Sequence, residues 1–494
     1  MEWIALIPFI LIFVLLVFLR IPAIKAMPII FLATLITAFY WGMTNIVILA
    51  SLSRALLIFL EVFLLILLAV TLLNTLIKQG HIKKIENYLA SISKDKKVQA
   101  MLIAWAFVAL IEGAAGFGTP AALAAPFLLA LGFPAITAIT IALIGDSTAV
   151  TFGAAGTPII IGLEASGLSQ SEITQSFIMA AGIHLILASV ATIAIAYFVS
   201  KTNKEFFSFI PFAVFSALSF AIPFYLAARY IGPELPSIIG GVFAIVLISV
   251  AARKGFLTEK NTQKLPKGIT KALLPFIFLI GLLIISRNID LIKDFLLKVN
   301  LGFENIFSTG IAQNFFLFYT PAFFFLVTIF VFSTTKKESL TDAFDKIKYP
   351  MVALLLILGV AQILLNSSIN INGFTSMPGY LATLLAGTGS FFTILSPFIG
   401  YIGSFVAGSA TVSNVLFSSL QVDTALTLGL STVAIIALQL VGSAAGNMIA
   451  VHNVITAAAT LGLKKGEGKI ITNNLVVSLV YCLLAGLIAF LFLV

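Results

Sequence analysis

The sequence predicts an all-α polytopic membrane protein of about 12–14 transmembrane segments, built as two structural repeats with broken helices or re-entrant hairpins. Three observations predict it. Of the 494 residues, 61% are hydrophobic and 10% charged, whereas a soluble domain is nearer half apolar and a quarter charged. Apolar runs of spanning length recur along the whole chain. Finally, paired segments rich in Gly, Ser, Thr and Asn interrupt those runs at similar spacing in the two halves.

The expected spans, in order, are 3–19, 27–42, 52–77, 98–111 with a continuation, 134–152, 172–199, 209–230, 236–252, 272–286, 311–333, 350–367 and 473–494. The region 371–463 is apolar but broken by Gly, Ser, Pro and Asn. Span 3–19 has Glu2 as its only early charge and is followed by Arg20 and Lys25 rather than a cleavage site, so it is expected to be retained. Cys482 stands alone, so no disulfide framework exists. The expected organisation is scaffold spans 1–97, a first transport core 98–208, scaffold spans 209–333, a second transport core 334–472 and a C-terminal span 473–494.

The net charge of +9 is a topology signal. Of the 28 basic residues, 23 fall in six connections: 20–25, 78–97, 200–208, 253–271, 334–349 and 464–472. Threading the spans places all six on one side, which the positive-inside rule makes cytoplasmic, with the N-terminus outside. The expected location is the plasma (inner) membrane of the cell. A polyanion-binding surface is not expected, and neither is a nucleic acid partner.

Two broken segments stand in the first half, Glu112-Gly-Ala-Ala-Gly-Phe-Gly-Thr-Pro120 and Asp146-Ser-Thr-Ala-Val-Thr-Phe-Gly-Ala-Ala-Gly-Thr-Pro158. Gly favours unwound backbone, Thr caps helices, and Pro suits the first helical turn. Each segment therefore reads as a helix that breaks and restarts at Pro120 or Pro158. Such backbone is tolerated at membrane depth only where protein or a cavity surrounds it. A restarted helix end suits an anion. Partners in kind are Gly403–Asn414 and Gly442–Asn453, offset from the first pair by about 295 and 289 positions (Gly113 to Gly408, Gly153 to Gly442). Gly442-Ser-Ala-Ala-Gly446 alone would also fit helix packing through small residues.

Ionisable groups at membrane depth are functional candidates. Glu112 and Asp146 open the two broken segments and are the expected proton-coupling residues. The expected substrate-binding groups in the first half are Gly116, Gly118, Thr119, Ser147, Thr148, Gly156 and Thr157. In the second half they are Ser409, Thr411, Ser413, Asn414, Asn447, His452 and Asn453. Glu61 and Arg54 share a helical face and read as a structural ion pair or an interhelical contact. His184, alone in an apolar helix, reads as a satisfied core residue, and Arg229 as an interfacial anchor. No metal or cofactor is expected. The sequence has no His-Glu-x-x-His, Gly-x-Ser-x-Gly or phosphate-binding loop. Gly145-Asp146 shares part of an intramembrane aspartyl protease motif, but Leu143 stands at the first Gly and no second catalytic Asp is evident. A passive anion channel would fit the spans but predicts no uphill accumulation.

Glu112–Pro120, Ala142–Pro158, Gly403–Gln421 with Ser413-Asn414-Val415-Leu416-Phe417, Gln439–Asn453 and the tail Gly462–Ile470 together resemble the lactate permease family, in one order over nearly the whole chain. The resemblance implies a secondary transporter, not an enzyme, that takes up lactate, glycolate or a related 2-hydroxy monocarboxylate by proton symport. It implies a fold similar to the ion-transporter superfamily, with the lipid bilayer as partner and a homodimer as an admissible assembly. Another organic anion, or sodium as the coupling ion, is the alternative. After Gly408-Ser409 the family often carries an acidic or amide residue. Here it is Ala410, which moves the expected coupling to Glu112 and Asp146.

Overall fold

The computed structural model describes residues 2–12, 14–15, 19, 21, 23–116, 118–258, 268–334, 336–463 and 466–492. Phe117 of the first broken segment and the basic residues Arg20, Lys260, Lys264, Lys267, Lys464 and Lys465 lie outside them. Among the described residues the chain is helical without a β-strand; two isolated bridges, Asn300–Phe316 and Phe303–Gln313, hold one loop. Among the described residues eleven helices are long and apolar enough to cross a membrane, and the bent pair Ala135–Val150 and Gly153–Ile160 meets the same requirement when taken as one span. Ser and Thr caps start several of them: Thr44 accepts from Val47 N, Thr202 from Glu205 N, and Ser169 with Glu172 forms a capping box.

Some connections are more ordered than their polarity suggests. Within 78–97, His81–Ile92 forms a helix that buries Ile82, Ile85, Leu89 and Ile92 on one face. The helix Lys336–Leu365 absorbs the polar stretch 336–349. Conversely, the expected span 311–333 is helical only over Pro321–Phe332, because the preceding residues pair in the bridged loop.

Of the two readings for Arg54, the interhelical contact holds rather than a pair with Glu61. Arg54 reaches Glu164 (3.1 Å) and Gln313 (3.3 Å), tying the long helix Asn45–Lys78 to the chain after the second broken segment. A residue on a helix of this length has neighbours on other helices as near as its own next turns, and here the distant carboxylate wins. Arg229 bonds the Tyr225 hydroxyl and lies over the Tyr230 ring, as an interfacial anchor does.

Two elements carry the most enclosed stretches. Over their apolar 18-residue stretches the spans Lys96–Ala114 and Thr432–Thr460 are each 94% buried, against 33% for the C-terminal helix Glu467–Phe492. They form the centre, and the other helices surround them. The first breaks after Ala114 and turns back as Thr119–Ala130, so that Lys96 Nζ meets the Leu131 carbonyl and the Phe133 ring (4.9 Å). It is a hairpin that enters and leaves on one face. Its counterpart is Phe392–Ala407 with Ala410–Leu428, tied near its mouth by Gln421 Nε2 to Ser396 O (2.9 Å) and by Ser376 Oγ to Asp423 Oδ2 (2.8 Å).

The two mouths lie on opposite faces. Lys96 continues from the surface helix His81–Ile92, on the same face as Lys78, which pairs with Asp342 at 2.8 Å. Ser376 follows Thr375, whose carbonyl takes Trp41 Nε1, at the other end of the helix Asn45–Lys78. The broken spans, Ala135–Ile160 and Thr432–Thr460, complete the two repeats.

The same helix crossing recurs in both halves. A Cβ on Gly145 would lie 1.6 Å from Ala104 O, and one on Gly442 would lie 1.9 Å from Pro397 O. Gly446 likewise meets Tyr401 O. This corrects one expectation: Gly442 lies inside the helix Thr432–Asn447 and packs it against Phe392–Ala407, while the break falls later, at Met448-Ile449-Ala450. The small-residue packing reading holds for Gly442–Gly446, and the break follows them.

Candidate functional site

Three helix restarts meet at the centre of the molecule. Gly118, in the left-handed region at φ 73°, precedes Thr119-Pro120. In the second broken segment the left-handed run is three residues long: Ala154 (φ 42°), Ala155 (φ 54°) and Gly156 (φ 82°), after a bend of 53°. Left-handed backbone costs about 1–2 kcal/mol per non-glycine residue, so Ala154 and Ala155 hold strain that the surrounding packing must offset. Thr157-Pro158 then resumes one turn. In the second half Gly408 (φ 69°) ends one helix, and Ser409 caps the next by accepting from Val412 N.

These ends line a cavity of about 30 Å³ together with Glu112, Val150, Gly153, Ala410, Thr411 and Asn447. That volume admits one or two waters, so the site is contracted around its polar groups. Thr157 Oγ1 and Thr411 Oγ1 face each other across the halves at 3.4 Å. Helix-start N–H groups and these hydroxyls give one wall a donor character that suits an anion.

Acceptors lie on and behind the rest of the lining: Glu112 and Asn447 line the cavity, and Asp146 stands behind Asn447. Glu112 is 5% exposed and Asp146 1%, and the two carboxyls interact directly. Glu112 Oε1 lies over Gly153, where a Cβ would stand 2.0 Å away. Asp146 Oδ2 accepts from Asn447 Nδ2 (3.1 Å), and Asn447 Oδ1 accepts from Asn453 Nδ2 (2.8 Å). Asp146 Oδ1 and Asn453 Oδ1 are buried and take no hydrogen bond among the described residues.

The other sequence candidates are placed as follows. Gly116 lies beside Glu112 Oε1, and Thr119 is half-buried at its helix start. Ser413 and Asn414 are buried next to the cavity rather than in its wall: Ser413 Oγ donates to Gly400 O, and Asn414 Nδ2 to Pro158 O (2.9 Å). Ser147 bonds its own helix at Ile144 O. Thr148 faces away, to Tyr481 (3.0 Å). His452 is exposed, with its Cβ against Gly408.

Sequence reasoning missed several polar residues around the site. Gln439 Nε2 contacts Ser413 Oγ and Asn414 Oδ1 (3.2 Å each), and Gln421 Nε2 donates to Gln439 Oε1 (2.9 Å). A lone amide in an otherwise apolar helix was the available signal. Behind the bend, Tyr481 Oη bridges Thr148 to His184 Nδ1 (2.7 Å), whose Nε2 meets Thr151 Oγ1 (2.7 Å). His184 is therefore a satisfied core residue. Pro233 and the buried Glu234 cover the left-handed run, with Pro233 O 2.5 Å from where a Gly156 Cβ would lie.

A family model described as L-lactate permease matches residues 2–494. A relative from Haemophilus influenzae is 33% identical over 436 residues, covering 81% of each chain. The L-lactate permease of Bacillus subtilis is 30% identical over 488 residues, covering 86% of this chain and 84% of that one. The glycolate permease of Escherichia coli is 27% identical over 480 residues, covering 86% and 83%.

Proposed function

This chain belongs to the L-lactate permease family, and from that membership we propose that it carries lactate, glycolate or a close 2-hydroxy monocarboxylate inward across the plasma membrane together with a proton. It is a multi-pass membrane transporter rather than an enzyme. The observation that supports the site most is the meeting of three helix restarts, Glu112 and Asn447 at one cavity between the halves, with Asp146 behind Asn447.

The substrate carboxylate binds at the donor wall, near Thr157, Thr411 and the Ser409-capped helix start. The proton rides on the Glu112–Asp146 pair, where Asp146 Oδ1 offers a free lone pair. Two neighbouring carboxyls can hold one proton between them. An anion and a proton loaded together present little net charge to the membrane interior, which lowers the cost of crossing. Alternating access follows from movement of the hairpins and broken spans, within 98–208 and 334–472, against the scaffold helices of 1–97 and 209–333. The basic connections face the cytoplasm and the N-terminus lies outside.

Purified protein in proteoliposomes tests this. An inside-alkaline gradient is expected to accelerate uptake of labelled lactate over protein-free liposomes. Acceleration by a sodium gradient alone would replace the proton as coupling ion, and flux driven by voltage without accumulation would make the protein a channel.

A further inference from the structure

Resting on that transport reading, we propose that Asn453 Oδ1 accepts the 2-hydroxyl hydrogen of the substrate and so separates 2-hydroxy acids from their 2-oxo, 2-alkoxy and 2-deoxy counterparts.

The assignment follows from a chain of amides with a fixed direction. Asp146 Oδ2 accepts, so Asn447 turns its Nδ2 toward it, at 3.1 Å. That leaves Asn447 Oδ1 on the other side, where it accepts from Asn453 Nδ2 at 2.8 Å. Reversing either amide would set an oxygen against an oxygen. Asn453 Oδ1 is therefore held as the free end of the chain. A proton carried on Asp146 Oδ1, the oxygen without a hydrogen bond, leaves Oδ2 accepting from Asn447 and the order unchanged.

The free end has no donor. Asn453 is 1% exposed, and its Oδ1 takes no hydrogen bond among the described residues. A buried amide oxygen in that state calls for a partner. It lies beside Gly118, which lines the cavity; a Cβ there would stand 2.9 Å from the oxygen. Any larger residue at 118 would cover the acceptor. The Thr157 and Thr411 hydroxyls and the helix start at Ser409 offer donors elsewhere around the cavity.

Beside the carboxyls that take the proton, the site thus presents donors to a carboxylate and one neutral acceptor, behind Gly118, to a neighbouring group. A 2-hydroxy acid carries the complementary set, an accepting carboxylate and a donating hydroxyl one carbon apart. A ketone or a methyl ether in that place has no hydrogen to give, and a deoxy acid has no oxygen. Each would leave Asn453 Oδ1 unpaired, the situation in which polar sites discriminate most strongly.

The test is exchange of labelled lactate in proteoliposomes loaded with lactate. The competitors are lactate, 2-methoxypropionate, pyruvate and propionate. In the wild type, lactate is expected to compete at least about tenfold better than the other three. In Asn453→Leu, which keeps the bulk and removes the acceptor, that gap is expected to collapse toward unity through loss of lactate competition. Equal competition by lactate and 2-methoxypropionate in the wild type would overturn the assignment while leaving transport intact. So would an undiminished gap in Asn453→Leu. If that variant aggregates, Asn453→Ser replaces it, and the wild-type comparison decides regardless. A wild-type protein that exchanges lactate with nothing would overturn the transport reading and the assignment together.

Discussion

Asn447 donates its Nδ2 to Asp146 Oδ2 at 3.1 Å, joining residues 301 positions apart and one broken span of each half. The contact puts a carboxyl of the first repeat under the control of an amide of the second. Each half brings part of the site, and neither half holds the whole of it.

The carboxyl pair makes the coupling testable by arithmetic. One pH unit is worth about 1.36 kcal/mol per proton, a factor of ten. One-to-one symport under a gradient of one unit, alkaline inside, is therefore expected to accumulate lactate about tenfold in a protein-dependent manner. Asp146→Asn or Glu112→Gln is expected to hold accumulation near unity while lactate–lactate exchange continues. Labelled uptake and exchange measured side by side check this; accumulation persisting in both variants would remove the pair from the coupling step.

Tyr481 is the keystone behind the bend. Its hydroxyl meets both Thr148 Oγ1 and His184 Nδ1 in a fully buried setting. Tyr481→Phe strips one partner from each, and a buried polar group left unpaired costs about 1–3 kcal/mol. Thermal unfolding in detergent is expected to show that loss. An unchanged midpoint would mean that another group satisfies them.

Gly145 and Gly281 make a contrasting pair. A Cβ on Gly145 would lie 1.6 Å from Ala104 O, whereas one on Gly281 meets nothing within 4 Å. Gly145→Ala is expected to cost at least about 1–3 kcal/mol by forcing two helices apart. Gly281→Ala, inside the helix Ile269–Asn288, is expected to be neutral or to stabilise by up to about 1 kcal/mol. Yield of monodisperse protein and its unfolding midpoint read both effects.

His81 supplies a pH dependence outside the spans. Burial, then the nearby Lys84 ammonium, lower its pKa from the ordinary 6.5, partly offset by backbone carbonyls of Lys271 and Ala272. The folded protein therefore resists protonation that the unfolded chain accepts. Its contribution is complete above pH 6.5 and is lost as the pH falls below that value toward the lowered pKa. His81→Gln is expected to flatten the unfolding midpoint over that window and to leave it unchanged near pH 8. A profile identical to wild type would show that His81 titrates alike in both states.

Much of this architecture is legible in the amino-acid order, and the gaps have physical causes. Thr119-Pro120 and Thr157-Pro158 announce restarts because capping and proline geometry are local. The second-half break at Met448-Ile449-Ala450 carries neither Gly nor Pro, so the nearby packing glycines draw the eye six residues too early. Hairpin and span look alike in sequence, since protein and lipid both demand apolar side chains; Lys96 touching Leu131 distinguishes them only once the chain is folded. Arg54 and Glu164 are 110 positions apart, beyond the reach of any helical period. Of the site, the residue types were readable and their directions were not. That Thr148 turns outward and Asn453 inward depends on helix rotation.

The pairing of Asp146 with Asn447 also bears on how the protein is made. Asp146 leaves the ribosome 301 residues before its amide partner. At about 5–20 residues per second that interval is about 15–60 s. Through it, a nascent chain holds two acidic groups in the bilayer without the groups that will enclose them. Enclosure of Asp146 Oδ2 therefore waits for the last broken span, which brings Asn447.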